Sequence, residues 1–178
     1  MKLVCKLSLC AAAVCLAAAT GSLAQEAHTK ASARPVVAEF KNADGLSVGT
    51  ATLSDNPKGV KIKLDIKGLP AGEHSIHIHQ NAKCEAPDFK SAGPHFNPMG
   101  GMAHDHSGAP AGDIPDFTLI VAADGTAHVS VVAPHVTMGD DPSSVFTNGG
   151  TAIVIHAVAT AGSAAPARIA CAIVKKSE

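Results

Sequence analysis

The sequence has no tryptophan and no tyrosine, and five phenylalanines are its only aromatic residues. It has little charge: 14 basic and 15 acidic residues in 178 leave a net charge of −1. With no basic excess, nucleic acid is excluded as an expected partner. Its one long apolar run, residues 7–19, falls short of the ~20 residues that span a bilayer. Long helical patterning is absent as well, which argues against a helix bundle. At 46% hydrophobic, the chain is not short of core residues, so wholesale disorder is excluded. Its length suits a single domain. What it has in abundance is histidine, ten in all. Imidazole is a common metal ligand, so a metal site is the first thing to look for.

Residues 1–24 read as a secretory signal peptide. Lys2 and Lys6 supply the positive start, and Ser22-Leu23-Ala24 supplies small residues at the cleavage positions. A retained membrane anchor is disfavoured by the short, alanine-rich run, and a lipoprotein signal at Cys15 by the bulky Val14 before it. Export to the periplasm or the extracellular space is therefore expected, with no membrane association after cleavage. Twelve basic and fifteen acidic residues then remain, a net charge of −3, and only Cys84 and Cys171 survive of five cysteines. In an oxidising compartment two distant cysteines favour one disulfide over two buried thiols.

Residues 25–34 are polar and read as a flexible lead-in, and residues 35–178 as the folded domain. Within that domain the apolar period is two. Residues 60–67 (VKIKLDIK) alternate strictly, as a half-buried strand does. Further strands are expected at 36–40, 48–53, 75–79, 117–121, 126–132, 151–157 and 168–174, separated by turn signals such as Ala43-Asp44-Gly45 and Ala123-Asp124-Gly125. Eight short strands without long helices predict an all-β antiparallel sandwich or barrel.

Residues 80–115 break this rhythm. The stretch lacks a strand pattern yet holds Cys84, His95, His104, His106 and Asp113. A loop this long in a compact domain is commonly functional. Just before it, His77 and His79 are two apart on a strand, so they share a face while Ile78 points to the core. A pair of exposed strand histidines would show the same spacing. His95 in a Gly-Pro turn and His156 at the end of an apolar strand make four such residues on three segments, which unrelated roles explain poorly.

The run Gly72-Glu-His-Ser-Ile-His-Ile-His79, then Cys84, Ser91-Ala-Gly-Pro-His-Phe-Asn-Pro98, Ala111-Gly112-Asp113, Ile155-His156 and Arg168-Ile-Ala-Cys171, resembles the copper,zinc superoxide dismutase family in its secreted bacterial form. The resemblance spans about residues 36–174, nearly the whole mature chain. It implies an eight-stranded antiparallel Greek-key barrel, an immunoglobulin-like sandwich with long metal-binding loops. It further implies copper ligands at His77, His79, His95 and His156, with His95 bridging to zinc. Asp113 matches the zinc carboxylate, Arg168 the arginine that guides superoxide, His74 a structural histidine, and Cys84 with Cys171 the family disulfide. The implied activity is disproportionation of superoxide to oxygen and hydrogen peroxide. A homodimer is one expected assembly, since the family contains monomers and dimers.

Two departures stand out. Three residues before Asp113, where the family has a zinc histidine, this chain has Pro110. His104 or His106 can stand in, so the expected zinc set is His95, His104, His106 and Asp113. Met99 and Met102 flank these histidines and read as loop methionines, although thioethers also suit Cu(I). The segment 157–167 is short and uncharged, and lacks the family's aspartate that links copper and zinc ligands. Weaker steering and a more open copper site follow. The rival reading is an exported copper-binding or copper-delivery protein on the same scaffold with little turnover.

Overall fold

The computed structural model describes residues 34–98, 110–157 and 166–176. Nine strands are formed among the described residues: β1 (Val36–Asn42), β2 (Ser47–Asn56), β3 (Gly59–Ile66), β4 (Gly72–His74), β5 (Ile76–His79), β6 (Leu119–Val121), β7 (Ala127–Ala133), β8 (Thr151–His156) and β9 (Arg168–Val174). The only helical pieces among the described residues are short 3-10 turns at Lys90–Ala92 and Thr147–Gly149. No described helix is long and apolar enough to cross a membrane.

Seven strands form one antiparallel curled sheet in the order β5-β8-β9-β1-β2-β3-β7, and β4 pairs with β6 in a two-stranded ladder. The fold is the all-β antiparallel Greek-key barrel that the sequence implied. The single expected strand at 75–79 instead begins at Gly72 and breaks at Ser75, because the segment changes partners there: His74 faces Leu119 of β6, whereas Ile76 faces Ile155 of β8. The β6 strand is also shorter than its pattern suggested, starting at Leu119 rather than Phe117. β3 keeps strict alternation, with Val60, Ile62, Leu64 and Ile66 all buried.

The interior is a continuous apolar core from every strand but β4, including Phe40, Leu53, Leu64, Ile78, Leu119, Ile153 and Ile155. β8 is buried along its whole length. Its Ile153 and Ile155 enter the barrel core, while Ala152 and Val154 join Phe89, Ala92 and Cys171 in a second, smaller cluster. That second cluster forms because the loop after β5 folds back over the outside of the barrel.

The Cys84–Cys171 disulfide is formed, with a Cα–Cα distance of 5.7 Å. It ties the loop to β9 across a sequence separation of 87 residues. A loop of that size gives an unfolded-state stabilisation of about 4–5 kcal/mol in the chain-entropy model. Residues 1–24, expected as a signal peptide, most of the expected 25–34 lead-in, His104 and His106 lie outside the described residues.

Candidate metal centre

His77 and His79 sit on β5, whose backbone pairs with β8 through His77–Val154 and His79–Ala152. Alternation then sends both imidazoles to the outer face, the one that also presents Val154 and His156. His95 arrives from the covering loop. His79 and His95 form an isolated antiparallel bridge, and the Gln80 N–H donates to the Pro94 carbonyl at 2.9 Å. Four histidines from three segments thus converge: one ligand atom from each of His77, His79, His95 and His156 lies within 4.8 Å of the others. The His77 and His95 rings stack with centroids 4.1 Å apart, and those of His77 and His156 meet edge-on at 5.0 Å.

Three ring nitrogens in this cluster, His77 Nδ1, His79 Nε2 and His156 Nε2, are buried without a hydrogen-bond partner. Leaving a buried polar atom unsatisfied costs about 1–3 kcal/mol, so three converging on one point call for an occupant. Burial, reinforced by the neighbouring imidazoles, lowers the His77 pKa to about 4; burial lowers that of His79 to about 3. Burial likewise pushes His156 down. Neutral rings with free lone pairs are what a metal ion needs and what a proton finds unattractive.

The opposite edges of the rings are held. His79 Nδ1 donates to the Gly93 carbonyl at 2.9 Å, and His156 Nδ1 faces the Pro166 carbonyl at 3.3 Å. His95 Nδ1 lies 2.6 Å from Asp113 Oδ1. These contacts fix which nitrogen points inward, the usual outer support of a ligating histidine. His74, buried at the break between β4 and β5, links the Pro70 and His156 carbonyls through its two ring nitrogens, each at 2.8 Å. It thereby ties the end of β8 to the turn at Pro70.

Arg168 opens β9 and reaches under the loop. Its Nη1 donates to the Phe89 carbonyl at 2.7 Å and its Nη2 to the Gly93 carbonyl at 2.8 Å. The Gly93 carbonyl therefore accepts from both Arg168 and His79. Gly93 has φ +77° and ψ −159°, a backbone conformation that favours glycine at this junction. Arg168 lines an open pocket with Pro87, Asp88, Lys90, Pro166 and Ala167. Burial lowers its pKa, but a guanidinium remains charged at working pH.

Periodicity and residue type did not reveal Gly112. Its N–H donates to the Phe96 carbonyl, the Phe96 N–H to the Ile78 carbonyl, and the Ile78 N–H to the Gly112 carbonyl, at 2.8, 2.8 and 2.9 Å. A Cβ on Gly112 would lie 2.1 Å from the Ile78 oxygen. This closed triangle of backbone bonds fixes Asp113 beside His95. The triplet Ala111-Gly112-Asp113 was the only sequence signal, and its glycine makes sense only once three distant segments meet.

A half-buried all-imidazole cluster on the flank of an antiparallel barrel defines a metal-binding β-barrel protein. The family model "Copper/zinc superoxide dismutase (SODC)" matches residues 47–174. Curated relatives include "Superoxide dismutase [Cu-Zn] 2" of Aquifex aeolicus, 39% identical over 78% of this chain and 85% of its own length. The "Superoxide dismutase [Cu-Zn]" of Caulobacter vibrioides is 36% identical over 78% of this chain and 84% of its own. Among solved structures, a SOD-like protein from Bacillus subtilis superposes with a TM-score of 0.68 at 29% identity, covering 79% of this chain and 99% of that one. The chain belongs to the copper/zinc superoxide dismutase family.

The donor set fits copper: four imidazole nitrogens suit Cu(II), and imidazole tolerates the reduced ion. For zinc, the described residues contribute only His95 Nδ1 and Asp113, since Pro110 has no ligating side chain.

Proposed function

We propose that this protein is an exported superoxide dismutase, with copper held by His77 Nδ1 and by the Nε2 atoms of His79, His95 and His156. The observation that supports this is the convergence of three buried, unpartnered ring nitrogens with the His95 ring at one point. Copper, when bound, supplies the one-electron shuttle by which one superoxide is oxidised and the next reduced. The balanced reaction takes two superoxide ions and two protons to oxygen and hydrogen peroxide.

Arg168 supplies the guiding charge for the anion. Two of its N–H groups are engaged by the Phe89 and Gly93 carbonyls, which hold the guanidinium plane still and leave the remaining donors for substrate. The Gly93 carbonyl, shared with His79, places guide and ligand on one rigid strut. Val154 and Ala152, paired with His77 and His79, pack with Phe89 in an apolar cluster beside the site. Export agrees with the disulfide and with the signal-like segment 1–24.

The test is to load the purified protein with copper and follow superoxide decay beside the His156→Ala variant. Accelerated decay in the wild type and its loss in the variant is the expected outcome. Stoichiometric copper binding without accelerated decay would overturn the enzyme and point to a copper carrier.

A further inference from the structure

The geometry points to Asp113 as the residue that positions His95 for copper directly, by accepting a hydrogen bond from Nδ1, so that the copper centre is complete without zinc. The inference rests on the copper assignment above and deepens it. A tetrahedral zinc ion, with Zn–N and Zn–O bonds of about 2.0–2.2 Å, holds two of its donor atoms ~3.4 Å apart. Here His95 Nδ1 and Asp113 Oδ1 are 2.6 Å apart, the length of a charge-assisted hydrogen bond. The two atoms contact each other more closely than two ligands of one tetrahedral zinc ion do.

The backbone around Asp113 is built to keep that contact. The Asp113 N–H donates to the Pro110 carbonyl at 2.9 Å, closing a tight turn through Ala111 and Gly112. Pro110 therefore serves in this chain as a turn residue that aims Asp113. Gly112, locked to Ile78 and Phe96, anchors the same turn to the strand that bears His77 and His79 and to the neighbour of His95. Asp113 is thus carried on the frame that holds three of the four imidazoles. A carboxylate on Nδ1–H leaves the Nε2 lone pair facing the cluster and makes it a better donor. Asp113 is accordingly a positioning residue for His95.

The experiment titrates the zinc-free protein with copper against a competing chelator and records the Cu(II) electron paramagnetic resonance spectrum, with thermal melting as a folding control. The wild type is expected to bind one copper, and one equivalent of added zinc should change neither affinity nor spectrum. Asp113→Ala should weaken copper about 10–100-fold and alter the spectrum. Asp113→Asn, whose amide oxygen can still accept from Nδ1–H, should recover most of the loss. Unchanged copper affinity in Asp113→Ala, or copper binding and spectrum that depend on zinc in the wild type, would overturn the inference while leaving the copper assignment intact. If the wild type binds no copper, or His77→Ala binds it equally well, the copper assignment fails and this inference with it.

Discussion

The two faces of the β5–β8 pair are both buried, yet they are built on opposite principles. The inner face presents Ile76, Ile78, Ile153 and Ile155 to a continuous apolar core. The outer face presents His77, His79 and His156, roofed by the loop that holds His95 and Phe89, and it leaves three nitrogens unsatisfied. The first arrangement lowers the free energy of the chain as it stands. The second raises it, and is tolerated because the barrel beneath over-determines the backbone. A stable face and a reactive face can share two strands because side chains alternate.

The sharpest way to break this comparison is to exchange one residue on each face. His77→Ala should abolish copper binding and leave the metal-free protein at least as stable, since it removes a buried unpaired nitrogen. Ile78→Ala should do the reverse, costing about 2–5 kcal/mol while leaving all four donors in place. Copper titration and urea unfolding of both variants check the pair, and equal stability losses would dissolve the distinction.

Replacing both cysteines with serine should cost about 2–5 kcal/mol, because the 87-residue separation is no longer closed in the unfolded chain. The outer cluster should suffer more than the inner core, which hydrogen exchange at residues 89–95 against β3 would read.

Gly112→Ala should cost about 1–3 kcal/mol, because a Cβ 2.1 Å from the Ile78 oxygen forces the backbone triangle apart. It should also weaken copper, although Gly112 ligates nothing; a variant that is destabilised yet binds copper normally would show that the frame does not position the donors.

The last effect concerns pH. In the metal-free protein His77 and His79 titrate at about 4 and about 3, below their ordinary 6.5. The unfolded chain takes up protons at these sites first, so their contribution is present above pH 6.5 and is lost progressively as pH falls toward 4 and then 3. The melting temperature of metal-free protein should therefore drop over that window, and His79→Gln should flatten the slope.

Much of this was legible in the order of residues. The period-two pattern of 60–67 and its neighbours identified the barrel strands, and the two-residue spacing of His77 and His79 placed both rings on one face. Counting cysteines left a single natural pair, which is formed. The break at Ser75 was hidden, because a strand that changes partners keeps its alternation on both sides. The contact between His95 and Asp113 was hidden too, since residue types that suit a zinc ion also suit a hydrogen bond, and only their separation tells the two apart.

The sequence by itself determined which faces are apolar, which residues can ligate and how many cysteines can pair, because those follow from side-chain chemistry and from the pleat of each strand. The tertiary structure alone decided that the Gly93 carbonyl serves both Arg168 and His79, that Gly112 must lack a side chain, and that Asp113 touches His95. Those facts depend on hydrogen bonds between segments far apart in the chain, and such bonds leave no local pattern among the residues that make them.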